Sequence, residues 1–179
     1  TYYRLLLPMV LPNTCTRVLY LDTDMLILSD ITSLWQIDLQ GNIIAAAPDM
    51  AVQTFSHPRW GIKNFSELGF SADQPVFNGG VMLIDLDAWR RKNISGQVLN
   101  FSIARAPDIR LWDQDGLNVV LAYHWLRLDP RWNSTTEGIR ASGWRHPASG
   151  RGRACGHPAG GPEMSVRCPT LMTANRMLE

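Results

Sequence analysis

Lysine is almost missing from this sequence. Lys63 and Lys92 are the only two in 179 residues, and the formal net charge is +1. A chain so nearly neutral has no broad basic field, which argues against a nucleic-acid binder. Cysteine is scarce as well: Cys15, Cys155 and Cys168 are odd in number and unpatterned, so no disulfide framework is expected. A reducing, cytosol-like compartment is the expectation. Against it stand four N-x-S/T triplets, at Asn64, Asn93, Asn100 and Asn133, where roughly one would arise by chance. No apolar run approaches the roughly 20 residues that span a bilayer. The opening "TYYRLLLPMVLP" has one charge, two prolines and no small-residue cleavage site, unlike a signal peptide.

What is present divides near Asn133. Residues 134–179 hold 11 of the 25 Gly and Pro residues, six Arg, no Lys and no Asp. They carry a charge of +3 against −2 for residues 1–133, and no apolar period persists in them. They read as a Gly/Pro/Arg-rich tail that is disordered or frame-shifted, while residues 1–133 read as one domain core. In that core, Tyr2 to Leu7 reads as a helix end stopped by Pro8, and Val18 to Leu21 as a buried strand. "ITSLWQ" reads as a short helix that Asp30 can cap, and "NIIAAAPD" as a strand closed by Pro48. Residues 50–73 carry loop signals. "VFNGGVMLIDLDAW" reads as a strand entering a helix near Leu86, and "WDQDGLNVVLAYHW" as a helix with Asp113 at its N-cap. Leu117, Val120 and Leu121 would form its apolar face. "WLRLDPRWN" returns as a short strand and loop. Strands alternating with helices imply an α/β layer fold with a largely parallel sheet.

Three segments carry candidate chemistry. "RVLYLDTDMLIL" sets Asp22 and Asp24 where an apolar strand ends. In a strand, i and i+2 share a face, and two carboxylates there repel unless a cation or proton lies between them. Mg²⁺ or Mn²⁺ suits such ligands together with a diphosphate. The plain alternative is a turn with two solvated acids. In "FNGGVMLIDLDAW" the strand continues straight past Asn78-Gly79-Gly80, so the glycines suggest close approach of a ligand to the backbone. A bulge with a local Asn bond is the plain alternative there. The third segment, Asp113-Gln114-Asp115, opens a helix, and acids favour a first turn through the helix dipole without any function. A D-x-D pair after a strand also occurs in haloacid-dehalogenase-type phosphatases. Here Leu26 stands where those enzymes carry Thr or Val, and no later Lys with paired acids follows.

Taken together, "YYRLLLPMVLP", "RVLYLDTDMLILSDITSLW", "FNGGVMLIDLDAWR", "WDQDGLNVVL" and "LDPRWN" resemble the family 8 glycosyltransferases, particularly the short bacterial ones. The blocks lie in order over residues 2–133. The resemblance implies a GT-A fold, a UDP-sugar donor, Mn²⁺ (or Mg²⁺), and transfer of a hexose, glucose or galactose, with retention of configuration. It implies a glycan or lipopolysaccharide-type acceptor, and a cytoplasmic protein or one peripheral to the membrane. It gives Asp22 and Asp24 to the metal and to the diphosphate-ribose side of the donor. Arg4 would contact the donor phosphate or sugar, and Asn78, Gly79 and Gly80 would form part of the sugar cradle. Asp113 would bind sugar hydroxyls and Gln114 would face the reacting centre in an electrostatic and positioning role. Asp115 would be a structural cap.

The chain departs from the family pattern at both ends. The strand–helix unit that holds uracil and ribose belongs before the counterpart of Tyr2, so the GT-A fold is expected to be incomplete. Of the family's His-x-x-Gly-x-x-Lys-Pro-Trp segment, "HPAGGP" offers His157 and Gly160 but no Lys. His157 reads as a tail residue, and His124 as a packing residue beside Trp125. The rival to an enzyme is a non-catalytic remnant of one.

Overall fold

The strongest apolar stretch of the chain lies in strand β4 (Phe77–Asp85), whose residues Val81 to Ile84 are all buried. Met82 and Ile84 point to one face and Val81 and Leu83 to the other, so the strand must be covered on both sides. In the computed structural model, which describes residues 2–135 and 171–173, it is. One face packs with Ile44, Ala46 and Phe77 beneath Leu86, Trp89, Ile94, Val98, Leu117 and Leu121. The other packs with Ala45 and Ala47 beneath Leu34, Leu39, Leu128 and Trp132. The covering residues on the first side come from α3 (Leu86–Arg91), α4 (Ile94–Ala104) and α5 (Asp113–Val120), with Leu121 at the C-cap of α5. On the second side α2 (Thr32–Trp35) contributes Leu34, and the 3-10 turn Pro130–Asn133 contributes Trp132.

β4 lies between β1 (Arg17–Leu21) and β3 (Ile44–Pro48), and β5 (Trp125–Arg127) closes the far edge, giving the order β1-β4-β3-β5. Here the largely parallel sheet expected from the sequence is corrected to a mixed one. β4 runs antiparallel to both neighbours, and only β3 and β5 are parallel. Alternating strands and helices imply parallel strands only when a helix carries each crossover. Between β3 and β4 the chain makes no helical crossover. Residues 49–76 instead form turns around a small apolar cluster of Val52, Phe55, Ile62 and Val76. A smaller sheet joins β2 (Met25–Ile27) to β7 (Leu171–Thr173) and β7 to β6 (Ser134–Thr135). The remainder of the expected tail, with His157 and Gly160, lies outside the described residues.

Several local expectations change. The N-terminal helical segment does not stop at Pro8: a 3-10 turn (Tyr2–Leu6) passes into α1 (Leu7–Val10), which has Pro8 in its first turn. Proline is tolerated there because the missing N–H would have no intrahelical partner. β1 is half-buried rather than buried, as an edge strand must be. Helix α4 was not foreseen. Its buried residues are Ile94, Val98 and Ser102, a sparse stripe at i, i+4, i+8, and it follows Asn93 in a left-handed conformation (φ 48°). His124 is an exposed turn residue whose carbonyl accepts a hydrogen bond from Ile43 N at 2.9 Å. Ile31, not Asp30, holds the cap position of α2, without a side-chain cap bond, although Asp30 Oδ1 accepts from Thr32 N at 2.8 Å. Asp85 caps α3, accepting from Ala88 N at 2.8 Å. Among the described residues no helix is long and apolar enough to cross a membrane.

Candidate active site

Because β4 is antiparallel to its neighbours, its first residues lie where β1 and β3 end. Leu21 pairs with Val81, and Pro48 with Phe77. Asp22 extends the ladder by one bond, its N–H donating to the Gly80 carbonyl at 2.9 Å. Asp22, Asp49 and the Asn78-Gly79-Gly80 run are thereby gathered at one end of the sheet. Asp24 does not share a strand face with Asp22. It lies exposed in the turn between β1 and β2.

Arg4 joins these segments. It comes from the N-terminal 3-10 turn and is only 7% exposed, so its charge requires partners. Its Nη2 donates to Asp22 Oδ1 at 3.2 Å, and its Nη1 donates to the Gly79 carbonyl. Its Nε lies 2.9 Å from Asp113 Oδ2, an ion pair without hydrogen-bond alignment. The guanidinium also sits 4.6 Å from the centre of the Tyr20 ring. Tyr20 Oη donates to Asp22 Oδ1 at 2.7 Å. Burial, and next that hydrogen bond, pushes the Tyr20 phenol up to about 12, so at neutral pH it stays a donor.

Crowding by side chains favours glycine at both positions. A β-carbon on Gly79 would lie 2.6 Å from Arg4 Nη1. One on Gly80 would lie 3.0 Å from Asn78 Oδ1, 3.2 Å from Asp22 Oδ2 and 3.4 Å from Asn133 Nδ2. Asn78 Oδ1 accepts from Gly80 N at 2.9 Å and from Asn133 Nδ2 at 2.8 Å, while its Nδ2 donates to Asp49 Oδ2 at 3.0 Å. Gln114 Nε2 donates to the same Asp49 oxygen at 3.1 Å, and Gln114 Oε1 accepts from Gly79 N at 3.2 Å.

Helix α5 delivers Asp113 and Gln114, and its cap differs from expectation. Asp113 is not the N-cap; it is the first helical residue, 2% exposed, and faces Arg4. Trp112 occupies the cap position with φ 51° and ψ −122°. A left-handed backbone at a residue other than glycine costs on the order of 1–3 kcal/mol and tends to mark functional sites. Asp115 satisfies the backbone instead, its Oδ2 accepting from Arg110 N at 2.7 Å and Leu111 N at 3.2 Å. Burial pushes the Asp115 carboxyl up, against those two bonds. Asn118, one turn on, ties α5 to β4: it accepts from Phe77 N at 2.8 Å and donates to the Phe77 and Gln114 carbonyls, each at 3.0 Å.

A family model for glycosyl transferase family 8 matches residues 1–148. The chain belongs to that family. General stress protein A of Bacillus subtilis is 37% identical over 139 residues, which are 75% of this chain and 45% of that protein. Probable galacturonosyltransferase-like 10 of Arabidopsis thaliana is 31% identical over 120 residues, 65% of this chain and 33% of that one. The chain thus spans less than half the length of these relatives. A crystal structure of the galactosyltransferase LgtC with donor and acceptor sugar analogues matches with a TM-score of 0.67 and 28% identity, over 82% of this chain and 50% of that one. GlyE of Streptococcus pneumoniae, at 20% identity and a TM-score of 0.62, shares the fold. The fold is the GT-A fold of these glycosyltransferases.

In this family 8 chain, then, seven of the eight residues singled out from sequence meet in one cluster: Arg4, Asp22, Asn78, Gly79, Gly80, Asp113 and Gln114. Asp24 borders the cluster on the exposed turn. Asp49, Tyr20, Asn118 and Asn133 were missed as members. Asp49 had a signal, since it follows β3 directly, at a strand's carboxyl end as Asp22 does. Asn133 closes a segment already matched to the family, and the other two sit inside apolar runs with nothing to distinguish them. The donor set fits a hard divalent cation: two carboxylates, Asp22 with 32% of its side chain exposed and Asp24 in the open turn, leave positions for phosphate oxygens and water. Among the described residues no third His, Cys, Asp or Glu joins them.

Proposed function

We propose that this chain is the core of a retaining hexosyltransferase that moves glucose or galactose from a UDP-sugar to a glycan or lipopolysaccharide-type acceptor, with Mn²⁺ or Mg²⁺. The observation that carries the proposal is the buried Arg4 guanidinium, held between Asp22 and Asp113 against the Gly79 carbonyl. It gathers a carboxylate for the cation, a carboxylate for sugar hydroxyls, and the Asn78-Gly79-Gly80 run around one point. Asp22 and Asp24 would hold the cation, which when bound offsets the negative charge that grows on UDP as the glycosidic bond breaks. Arg4 adds a fixed positive charge on the phosphate and sugar side. Asn78 lines the sugar, and Gly79 and Gly80 shape that cradle indirectly, by leaving room for Arg4, Asp22 and Asn133 to pack against the strand. Asp113 accepts from sugar hydroxyls and holds the ring for attack, which lowers the entropy cost of transfer. Gln114 is too weak a nucleophile to displace UDP, so its amide positions the anomeric centre and stabilises developing positive charge.

Calorimetric titration of UDP with and without Mn²⁺, on the chain and on Asp24→Asn, tests this reading. Each ligand should tighten the other, as linkage requires, and the variant should lose most of that coupling while still folded. UDP binding that is indifferent to Mn²⁺ and unchanged in the variant would show both aspartates to be structural.

A further inference from the structure

Asp49 is the one carboxylate in the cluster that family resemblance left without a role. It is 6% exposed and receives four donors. Ala51 N and Val52 N each reach Oδ1 at 2.9 Å, while Asn78 Nδ2 and Gln114 Nε2 reach Oδ2 at 3.0 and 3.1 Å. An ionised carboxylate only accepts, whereas a side-chain amide has one accepting and one donating end. Two amides that share one Asp49 oxygen must therefore both turn their NH₂ ends towards it. Their carbonyl ends are forced the other way, and both find backbone N–H groups of the glycine pair: Gln114 Oε1 meets Gly79 N, and Asn78 Oδ1 meets Gly80 N. The polarity of both amides is thus set from two ends, by the Asp49 anion at their NH₂ groups and by the glycine N–H groups at their carbonyls. Asn133 Nδ2 is a further donor to Asn78 Oδ1, at 2.8 Å.

We infer that Asp49 is a positioning residue for glycosyl transfer: its carboxylate holds the Gln114 and Asn78 amides in one orientation, NH₂ ends on Asp49 and carbonyl ends on the glycine pair. The inference rests on the glycosyltransferase reading above. It deepens that reading by naming what orients Gln114. An asparagine in its place could keep Oδ1 on Ala51 and Val52, but would set its own NH₂ against two other NH₂ groups. At least one of the three amides would have to turn over or move away.

The test has two arms on the full chain. In the first, UDP release from UDP-glucose and UDP-galactose is followed with Mn²⁺ for wild type, Asp49→Asn, Gln114→Ala and the double variant. Asp49→Asn should lower kcat about tenfold or more with little change in donor KM, and should add little once Gln114 is alanine, a non-additivity typical of residues in one network. Losses that multiply fully, or an unchanged kcat, overturn the inference. In the second arm, the side-chain amide ¹⁵N–¹H signals of Gln114 and Asn78 are recorded without substrate. They should be shifted and protected from exchange in wild type, and should move or broaden in Asp49→Asn while backbone signals of β4 persist. Signals that stay in place overturn the positioning role. Should wild type neither bind UDP nor release it from a UDP-sugar, the glycosyltransferase reading falls and the role in transfer falls with it. The second arm then still decides whether Asp49 orients the amides.

Discussion

The turn after β1 and the first turn of α5 both contain an acid, one residue, and a second acid, yet they use the pair in opposite ways. At Asp22 and Asp24 the first carboxylate is anchored by Arg4 and Tyr20 and the second stands in solvent. At Asp113 and Asp115 both are buried, and they part company: one faces Arg4, the other the backbone of Arg110 and Leu111. The difference follows from geometry. Residues i and i+2 on a helix lie far apart around its axis, so the α5 acids cannot share a ligand. At the end of an extended strand the chain opens outward, and the second acid stands in the exposed turn. In a third such pair, Asp85 caps α3 and Asp87 lies 3.5 Å from Arg90, away from the Arg4 cluster. Spacing alone does not distinguish these three.

The comparison can be broken most severely at Arg4, which serves both turns. Arg4→Ala should leave the Asp113 carboxylate buried without its cation, and loss of one partner from a buried pair costs about 3–5 kcal/mol. Urea unfolding should show that loss, and Asp113→Asn in the same background should recover part of it. If the second substitution recovers nothing, the pair with Asp113 is not what makes Arg4 necessary.

A smaller effect is expected at Asp115. Removing its acceptor with Asp115→Ala exposes two backbone donors and should cost about 1–2 kcal/mol, in the range of a lost helix cap. Its pH dependence has a definite sign. Burial raises the folded carboxyl above its unfolded value, so the folded state holds the proton longer. Stability contributed by this group is therefore present at low pH and declines as pH rises from the ordinary carboxylate range through the raised value. Asp115→Asn should flatten that part of the stability curve, measured as the difference from wild type in unfolding midpoints across acid pH. A difference that grows in the opposite direction would mean the two backbone bonds outweigh burial.

The least effect on folding should come from Asp24→Asn, whose side chain lies in the open turn. Its unfolding midpoint should match wild type without metal, and should fall behind only when Mn²⁺ is added, because stabilisation by a ligand follows its affinity for the folded state. A midpoint already lowered without metal would place Asp24 among the structural acids, with Asp115.

How much was legible follows the same division. The strands β3 and β4, and the short helix α2, could be read because an apolar run and a nearby Pro, Gly or Asp mark each one locally. Helix α4 could not, since its buried stripe is sparse and its first neighbour is a left-handed Asn rather than a capping one. Pro8 marks a stop by residue type alone, yet the first turn of α1 accepts it. Most of the site residues were legible through family resemblance, while the chemistry of Asp49 was hidden. Its partners Asn78 and Gln114 are 29 and 65 positions away, and no local pattern marks a hydrogen bond of that range.

By itself the sequence determined the existence and kind of most elements, because hydrophobic period and turn residues act between near neighbours. It also determined which residue types were available for a cation and a sugar. Only the tertiary structure decided that β4 runs against its neighbours, and so that Asn78 and the two glycines meet the ends of β1 and β3. It alone decided that Arg4 reaches Gly79, 75 positions along the chain, with Asp22 and Asp113 on either side. The reason is that a buried charge takes whichever partners the packed chain brings within about 4 Å, and that set is fixed by how the elements pack rather than by spacing along the chain.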